Sequence, residues 1–177
     1  MADHIPYNAS ASMLIPKAVF RAALSEENIN ICHINVQSLC ARKFCKFDEL
    51  KSNFFDSKLD IICMSETWLG DVITDTMISV DGFKLLRNDR NRNGGGICVY
   101  FRTNLSCKVI KRSLSNLGNG TEFLIVKVCG EGEPFVIAVY YNPPEVDCSE
   151  ILREHFEELT VKYNCTFSYE ILVQTFQ

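Results

Sequence analysis

The sequence lacks most of what would place it in a specialised class. It has no run of about 18 apolar residues, so nothing reads as a membrane-spanning helix. It has no Cys-x-x-Cys pair, and its glycine clusters lack the Gly-Lys-Ser/Thr ending of a P-loop, which argues against a zinc ribbon and against nucleotide binding of that type. No internal repeat or low-complexity tract stands out. Neither sign of charge dominates: 18 Lys and Arg stand against 22 Asp and Glu, a net charge of −4. That excludes a strongly basic nucleic-acid arm, so any nucleic-acid contact must come from a local basic face. A composition of 47% hydrophobic and 23% charged residues excludes collagen and a wholly disordered chain. No secretory leader is visible, because Asp3 and His4 come early and no unbroken apolar stretch follows. The N-x-S/T sequons at Asn8, Asn104, Asn119 and Asn164 are therefore read as chance matches, and the chain as intracellular, nuclear or cytoplasmic, and not secreted.

Cysteine, by contrast, is abundant. Nine are present, an odd number, so neither a paired disulfide framework nor a metal cluster is suggested. Cys32, Cys63, Cys98 and Cys129 lie in apolar runs and read as small buried hydrophobes in a reducing compartment.

At 177 residues the chain is long enough for one domain with a real core. Residues 1–28 read as a loosely attached tail, with a short helix over Lys17 to Leu24, and residues 29–177 as the domain. Ile29–Asn35 is a short apolar run expected as a buried strand. Residues 43–56 place Phe44, Phe47, Leu50 and Phe54 at helical spacing, and Leu59–Met64 is a second buried strand. This order fits one crossover unit of an α/β sheet. Short strands follow at Phe83–Arg87, Ile97–Arg102, Cys107–Arg112, Glu122–Cys129 and Pro134–Tyr141, with glycine clusters between them that suggest antiparallel hairpins. An amphipathic helix is expected over Cys148–Tyr163 and a last strand over Tyr169–Val173.

Three groups of residues carry possible chemistry. Asn35 closes the first strand and Glu66 follows the second. If these strands are parallel neighbours, a carboxamide and a carboxylate project from one sheet edge, a plausible site for a cation and a phosphate. Asn35 as a turn residue and Glu66 as a cap remain open alternatives. Tyr141 ends a strand before Asn142-Pro143-Pro144, where its hydroxyl could reach a phosphate or its ring could simply pack against a rigid turn. Arg87, Arg90 and Arg92 crowd one hairpin, suited to a nucleic-acid backbone or to solvent. His4, His33 and His155 have no evident catalytic partner.

These pieces together resemble one family. Asn35-Val36-Gln37-Ser38-Leu39, Lys46-Phe47-Asp48-Glu49-Leu50 and Asp60–Leu69 look like the opening of the endonuclease domain of non-LTR (LINE-type) retrotransposons. Asp81-Gly82-Phe83, Arg87-Asn88-Asp89-Arg90, Gly94–Tyr100 and Tyr141–Pro144 follow in the same order, so the resemblance covers residues 29–144. It implies the endonuclease/exonuclease/phosphatase superfamily and an α/β fold, the DNase I-like sandwich of mixed sheets flanked by helices. It also implies a Mg²⁺-dependent phosphodiesterase that nicks DNA, fused in full-length elements to a reverse transcriptase, with no membrane partner. Carried over by the motifs, Asn35 orients hydrogen bonds near the phosphate, Glu66 binds the metal, and Tyr141 contacts the scissile phosphate.

The chain departs from the family after Ile171-Leu172-Val173. The Gly-Asp-Phe-Asn motif expected there, and the later Ser-Asp-His motif, do not occur. The expectation is therefore a domain cut to roughly its first half and inactive as written, since a missing general base and phosphate-binding His remove several orders of magnitude in rate. Such a half-domain is expected to supply mainly one sheet, with that sheet's inner face meeting water. The alternatives are a nuclease whose missing half comes from a longer frame or another chain, and a non-enzymatic module that keeps the half-fold to bind nucleic acid or protein.

Overall fold

The computed structural model describes residues 24, 27–91, 93–114, 120–143, 146–163 and 173–175, the last three by backbone alone. All of the expected short helix over Lys17–Leu24 except Leu24, and all but three residues of the 1–28 tail, lie outside the described residues. Of that tail, Leu24 packs against the domain.

Two parallel strands anchor the larger sheet. Ile31–Asn35 (β1) and Ile61–Ser65 (β2) run in register from Ile31 opposite Ile61 to Asn35 opposite Ser65. Every residue of β2 is buried, as a strand covered on both faces requires. The crossover between them is less regular than the helix expected over 43–56. Helix α1 spans only Cys45–Leu50 and runs into a π-helical turn at Lys51–Phe55. Lys43 and Phe44 have left-handed backbones and stand outside the helix. Neighbouring Phe54 and Phe55 of this turn are both buried. The Phe55 ring meets Phe83 and Tyr100 edge-on, at centroid distances of 5.0 and 4.8 Å.

Phe83–Asn88 (β3) and Ile97–Arg102 (β4) extend the sheet, β4 antiparallel to both β2 and β3. Val173–Thr175 (β8) joins the other side, parallel to β1, giving the order β3-β4-β2-β1-β8. The last strand was expected over Tyr169–Val173. The described strand shares Val173 with that range and pairs with His33–Asn35; residues 169–172 lie outside the described residues.

The second sheet is an antiparallel meander of Ser106–Arg112 (β5), Glu122–Cys129 (β6) and Phe135–Tyr141 (β7), with an irregularity in β5 between Val109 and Lys111. Helix α2 (Ser149–Tyr163) follows and buries His155 and Leu159. The meander corrects the expectation of a water-facing inner surface. Ile61 and Cys63 of β2, and Ile97, Val99 and Phe101 of β4, pack against Leu124, Val126 and Val128 of β6 and Val139 of β7. Alternate residues of the same strands face outward. Ile62, Met64, Cys98 and Tyr100 form a second cluster with Phe47, Leu50, Phe54 and Phe55. Burying each such side chain is worth about 1.5–3 kcal/mol, so both faces of β2 and β4 contribute to stability. The cover stops short of β1: Ile31, on the same face as Ile61, stays 42% exposed.

The eight described cysteines are free. Burial pushes the Cys32 thiol up to about 12 and raises Cys63 and Cys98 as well, which makes these three poor thiolates. Among the described residues no helix is long and apolar enough to cross a membrane.

Candidate active site

The parallel register of β1 and β2 sets Asn35 beside Ser65, and Glu66 follows one residue beyond the strand end. The Asn35 amide Nδ2 donates to Glu66 Oε1 at 3.1 Å, and its Oδ1 accepts the Gln37 N–H at 3.3 Å. The two loops continue side by side past the strands. Val36, Ser38 and Leu39 donate their N–H groups to the carbonyls of Ser65, Glu66 and Thr67 at 2.8–2.9 Å. Glu66 and Trp68 both have left-handed backbones, with φ of 53° and 52°. Non-glycine residues held this way cost on the order of 1–3 kcal/mol each, and such strain gathers at functional sites.

The third wall of the site holds that strained segment in place. Thr67 and Trp68 donate their N–H groups to the carbonyls of Gly96 and Gly95 at 3.2 and 3.0 Å. Gly95 and Gly96 have φ of +65° and +85°. A Cβ on Gly96 would lie 2.6 Å from Thr67 Oγ1, and one on Gly95 would lie 2.3 Å from Glu122 Oε1. Two of the three glycines therefore allow both the turn and the close approach.

Tyr141 arrives from the second sheet, where it pairs with Glu122 across β7 and β6. Burial raises the Tyr141 hydroxyl above its ordinary pKa. The Glu66 and Glu122 charges and a hydrogen bond to the Glu66 carboxylate act in the same direction, and Arg90 opposes them. The tyrosine is thus a neutral hydroxyl donor at neutral pH. The Arg90 guanidinium lies 5.9 Å from the Tyr141 ring centre, and its Nε is 3.1 Å from Glu122 Oε1 while directing its N–H at the Gly94 carbonyl. The other Glu122 oxygen accepts the Gly96 N–H. Glu122 is itself raised, first by burial and also by the Glu66 charge, against the pull of Gly96 and Arg90.

Asn35, Glu66 and Tyr141, three residues singled out in the sequence, are therefore brought together from three segments and two sheets. Of the three arginines, the two described ones are engaged by protein groups. Arg87 is held by Asp75 at 2.7 Å, by Asp89, and by the Ile73 carbonyl at 2.7 Å. Arg90 is committed to Glu122 and Gly94, and Arg92 lies outside the described residues. Glu122 was not singled out. Its signal was an acidic residue opening the apolar run Phe123–Val126 immediately after Gly120-Thr121.

Among the described residues no group of three or more His, Cys, Asp or Glu is placed to hold a metal. A hard cation such as Mg²⁺ commonly takes only one or two carboxylates, with water and substrate phosphate completing its shell. Half-buried Glu66, steadied by Asn35, fits that limited demand; Glu122 is committed elsewhere. His155 lies apart from this constellation. His155 packs against Phe123 and shares a 3.0 Å hydrogen bond with Tyr140, on the opposite face of the meander from Tyr141.

No protein-family model and no curated protein matches the sequence. Among solved structures the chain is similar to the human Nocturnin catalytic domain with bound sulfate. Identity there is 15%, the TM-score is 0.52, and the match covers 75% of this chain and 59% of that one. D. rerio TDP2 complexed with a single-strand DNA product matches at 12% identity and TM-score 0.52, over 77% of this chain and 56% of that one. A humanized D. rerio TDP2 matches at 14% identity and TM-score 0.54, over 76% and 57%. The chain spans somewhat over half the length of these proteins, and with them it shares the DNase I-like fold.

Proposed function

We propose that the chain carries the metal- and phosphate-binding part of a phosphodiesterase that nicks DNA, of the non-LTR retrotransposon type, and that its 177 residues alone do not turn over. One observation carries the reading: Asn35 and Glu66 hydrogen-bond at the ends of adjacent parallel strands, and Tyr141 of the opposing sheet lies near enough for the Glu66 charge to raise its hydroxyl. The TDP2 structure with a DNA product supports DNA as the substrate class. The ordered motifs from Asn35 to Pro144 support the retrotransposon origin, in which the domain is joined to a reverse transcriptase.

Glu66 would hold Mg²⁺, which when bound supplies charge stabilisation at the phosphoryl and leaving oxygens. Asn35 fixes the Glu66 carboxylate by its amide hydrogen bond. The neutral Tyr141 hydroxyl would donate to a phosphate oxygen that takes the place of Glu66 as its acceptor, a donor of the kind that lowers phosphoryl-transfer barriers. The Gly-Asp-Phe-Asn and Ser-Asp-His motifs, which in the resembled family would position the attacking water, do not occur in these 177 residues.

The test has two arms on the full chain. Mn²⁺ added as a paramagnetic probe should broaden the amide signals of residues 35–37 and 66–68, and Glu66→Gln should abolish the effect; uniform or absent broadening sinks the metal site. Supercoiled plasmid with Mg²⁺ should remain intact. Nicking that disappears with EDTA and with Glu66→Ala would overturn the assignment of the chain as inactive alone.

A further inference from the structure

The turn after β1 carries two cations that no acidic group among the described residues pairs with. Arg42 and Lys43 are exposed, and neither has an ion pair with an acidic residue among the described residues. Arg42, Lys43 and Phe44 have φ of 54°, 54° and 72°, three left-handed residues in succession. Each costs roughly 1–2 kcal/mol for an L-residue, so the turn must be held by its surroundings. The holding contacts are visible. Ala41 N–H donates to the Ser38 carbonyl and Cys45 N–H to the Arg42 carbonyl, both at 3.2 Å, and Phe44 packs on the outer core.

Lys46 joins the group from the first turn of α1. Its ammonium donates to the Gln37 carbonyl at 3.3 Å. Its pKa is lowered, first by burial and then by the nearby Arg42 charge, with Glu49 acting oppositely. Gln37 in turn donates its N–H to Asn35 Oδ1. A chain of contacts therefore connects Glu66, Asn35, Gln37 and Lys46, with Arg42 beside the last. Exposed Asp48 and Glu49 follow Lys46 on α1, so the run of cations from Arg42 to Lys46 is bounded by acidic residues within the helix.

We propose that Arg42, Lys43 and Lys46 form a phosphate-binding surface that takes the DNA backbone flanking the phosphate held at Glu66. A guanidinium fork and two ammonium groups on a pinned turn suit phosphate oxygens without reading sequence. The surface also answers the charge problem of an acidic chain, because it is local and adjoins the site. It rests on the reading of the chain as DNA-directed.

The experiment is a salt series of DNA binding to the full chain, followed by fluorescence anisotropy of a short labelled duplex. Wild type should bind with an affinity that falls as salt rises. Arg42→Gln/Lys43→Gln keeps the side-chain stems and the backbone preference, and should reduce the log–log salt slope by about 1.8, near 0.9 per lost phosphate contact. Lys46→Gln alone should reduce it by about 0.9, and exposed Lys108→Gln on β5 should leave it unchanged. A double variant with the wild-type slope and a wild-type circular dichroism spectrum overturns this surface while leaving the DNA reading intact. No binding by wild type removes the DNA reading and the surface with it. An equal loss from Lys108→Gln shows a general charge effect and also overturns it.

Discussion

The turn at 36–46 and the hairpin at 87–96 both leave strand ends of the larger sheet, and both are rich in cations. They use them in opposite ways. In the hairpin, Arg87 lies between Asp75 and Asp89, and Arg90 is bound to Glu122 and Gly94 with its side chain only 15% exposed. There the charges are structural, holding Gly95 and Gly96 against the strained segment that carries Glu66. In the turn, Arg42 and Lys43 face solvent and it is the backbone that is constrained. The comparison teaches that arginine density in a sequence does not reveal where the charge is directed. The availability of carboxylates in space decides it: three hold the hairpin arginines, whereas among the described residues no carboxylate forms an ion pair with Arg42 or Lys43.

The sharpest way to break this contrast is Glu122→Ala. It leaves a buried guanidinium without its carboxylate and the Gly96 N–H without an acceptor, and should cost about 3–5 kcal/mol in equilibrium urea unfolding. A loss below about 1 kcal/mol would mean that the pair behaves like a surface pair and that the hairpin charges are as free as those of the turn. Gly95→Ala is expected to come next, at about 2 kcal/mol, since alanine must adopt φ +65° and its Cβ would meet Glu122 and Arg90. An unchanged urea midpoint would show that the loop rearranges freely.

A smaller effect separates α2 from both regions. Burial holds the His155 imidazole below its ordinary pKa of 6.5, with Lys111 acting the same way and Glu158 and Glu154 opposing. The folded state therefore binds fewer protons than the unfolded chain in that window. The stabilisation is present above pH 6.5 and is lost as pH falls through the depressed folded value. Thermal midpoints measured from about pH 8 down to about pH 5 should fall, and His155→Gln should flatten the part of that slope due to this residue. An unchanged slope would leave His33, also depressed by burial, as the source. The smallest expected effect is that of Arg42→Gln/Lys43→Gln on stability, within about 0.5 kcal/mol of wild type by urea unfolding, because no internal partner is lost. A loss comparable to that of Glu122→Ala would erase the difference between the two regions.

Much of the fold was legible because the strands announce themselves locally. Ile61–Ser65 is apolar throughout and buried on both faces, and β4 and β6 read equally well. The helix over 43–56 was misjudged at both ends, since three left-handed residues and a π turn leave no periodic trace that a 3.6-residue template detects. Of the candidate site, Asn35 and Glu66 could be paired from the strand–helix–strand order alone, because a crossover connection makes the two strands parallel. Tyr141 entered by its place before Asn-Pro-Pro. Glu122 did not, because a single acid at the head of an apolar strand looks the same whether it faces solvent or closes over an arginine.

By itself the sequence determined the alternation of strands, the parallel β1–β2 pair and the polar residues at its C-terminal edge. Those follow from side-chain periodicity and from the short reach of the connections. Tertiary structure decided that the meander folds back over β2 and β4, bringing Tyr141 and Glu122 to Glu66 and directing Arg90 inward. Sheet-on-sheet packing joins residues more than seventy positions apart through burial of apolar area, which has no direction along the chain and so no local signature.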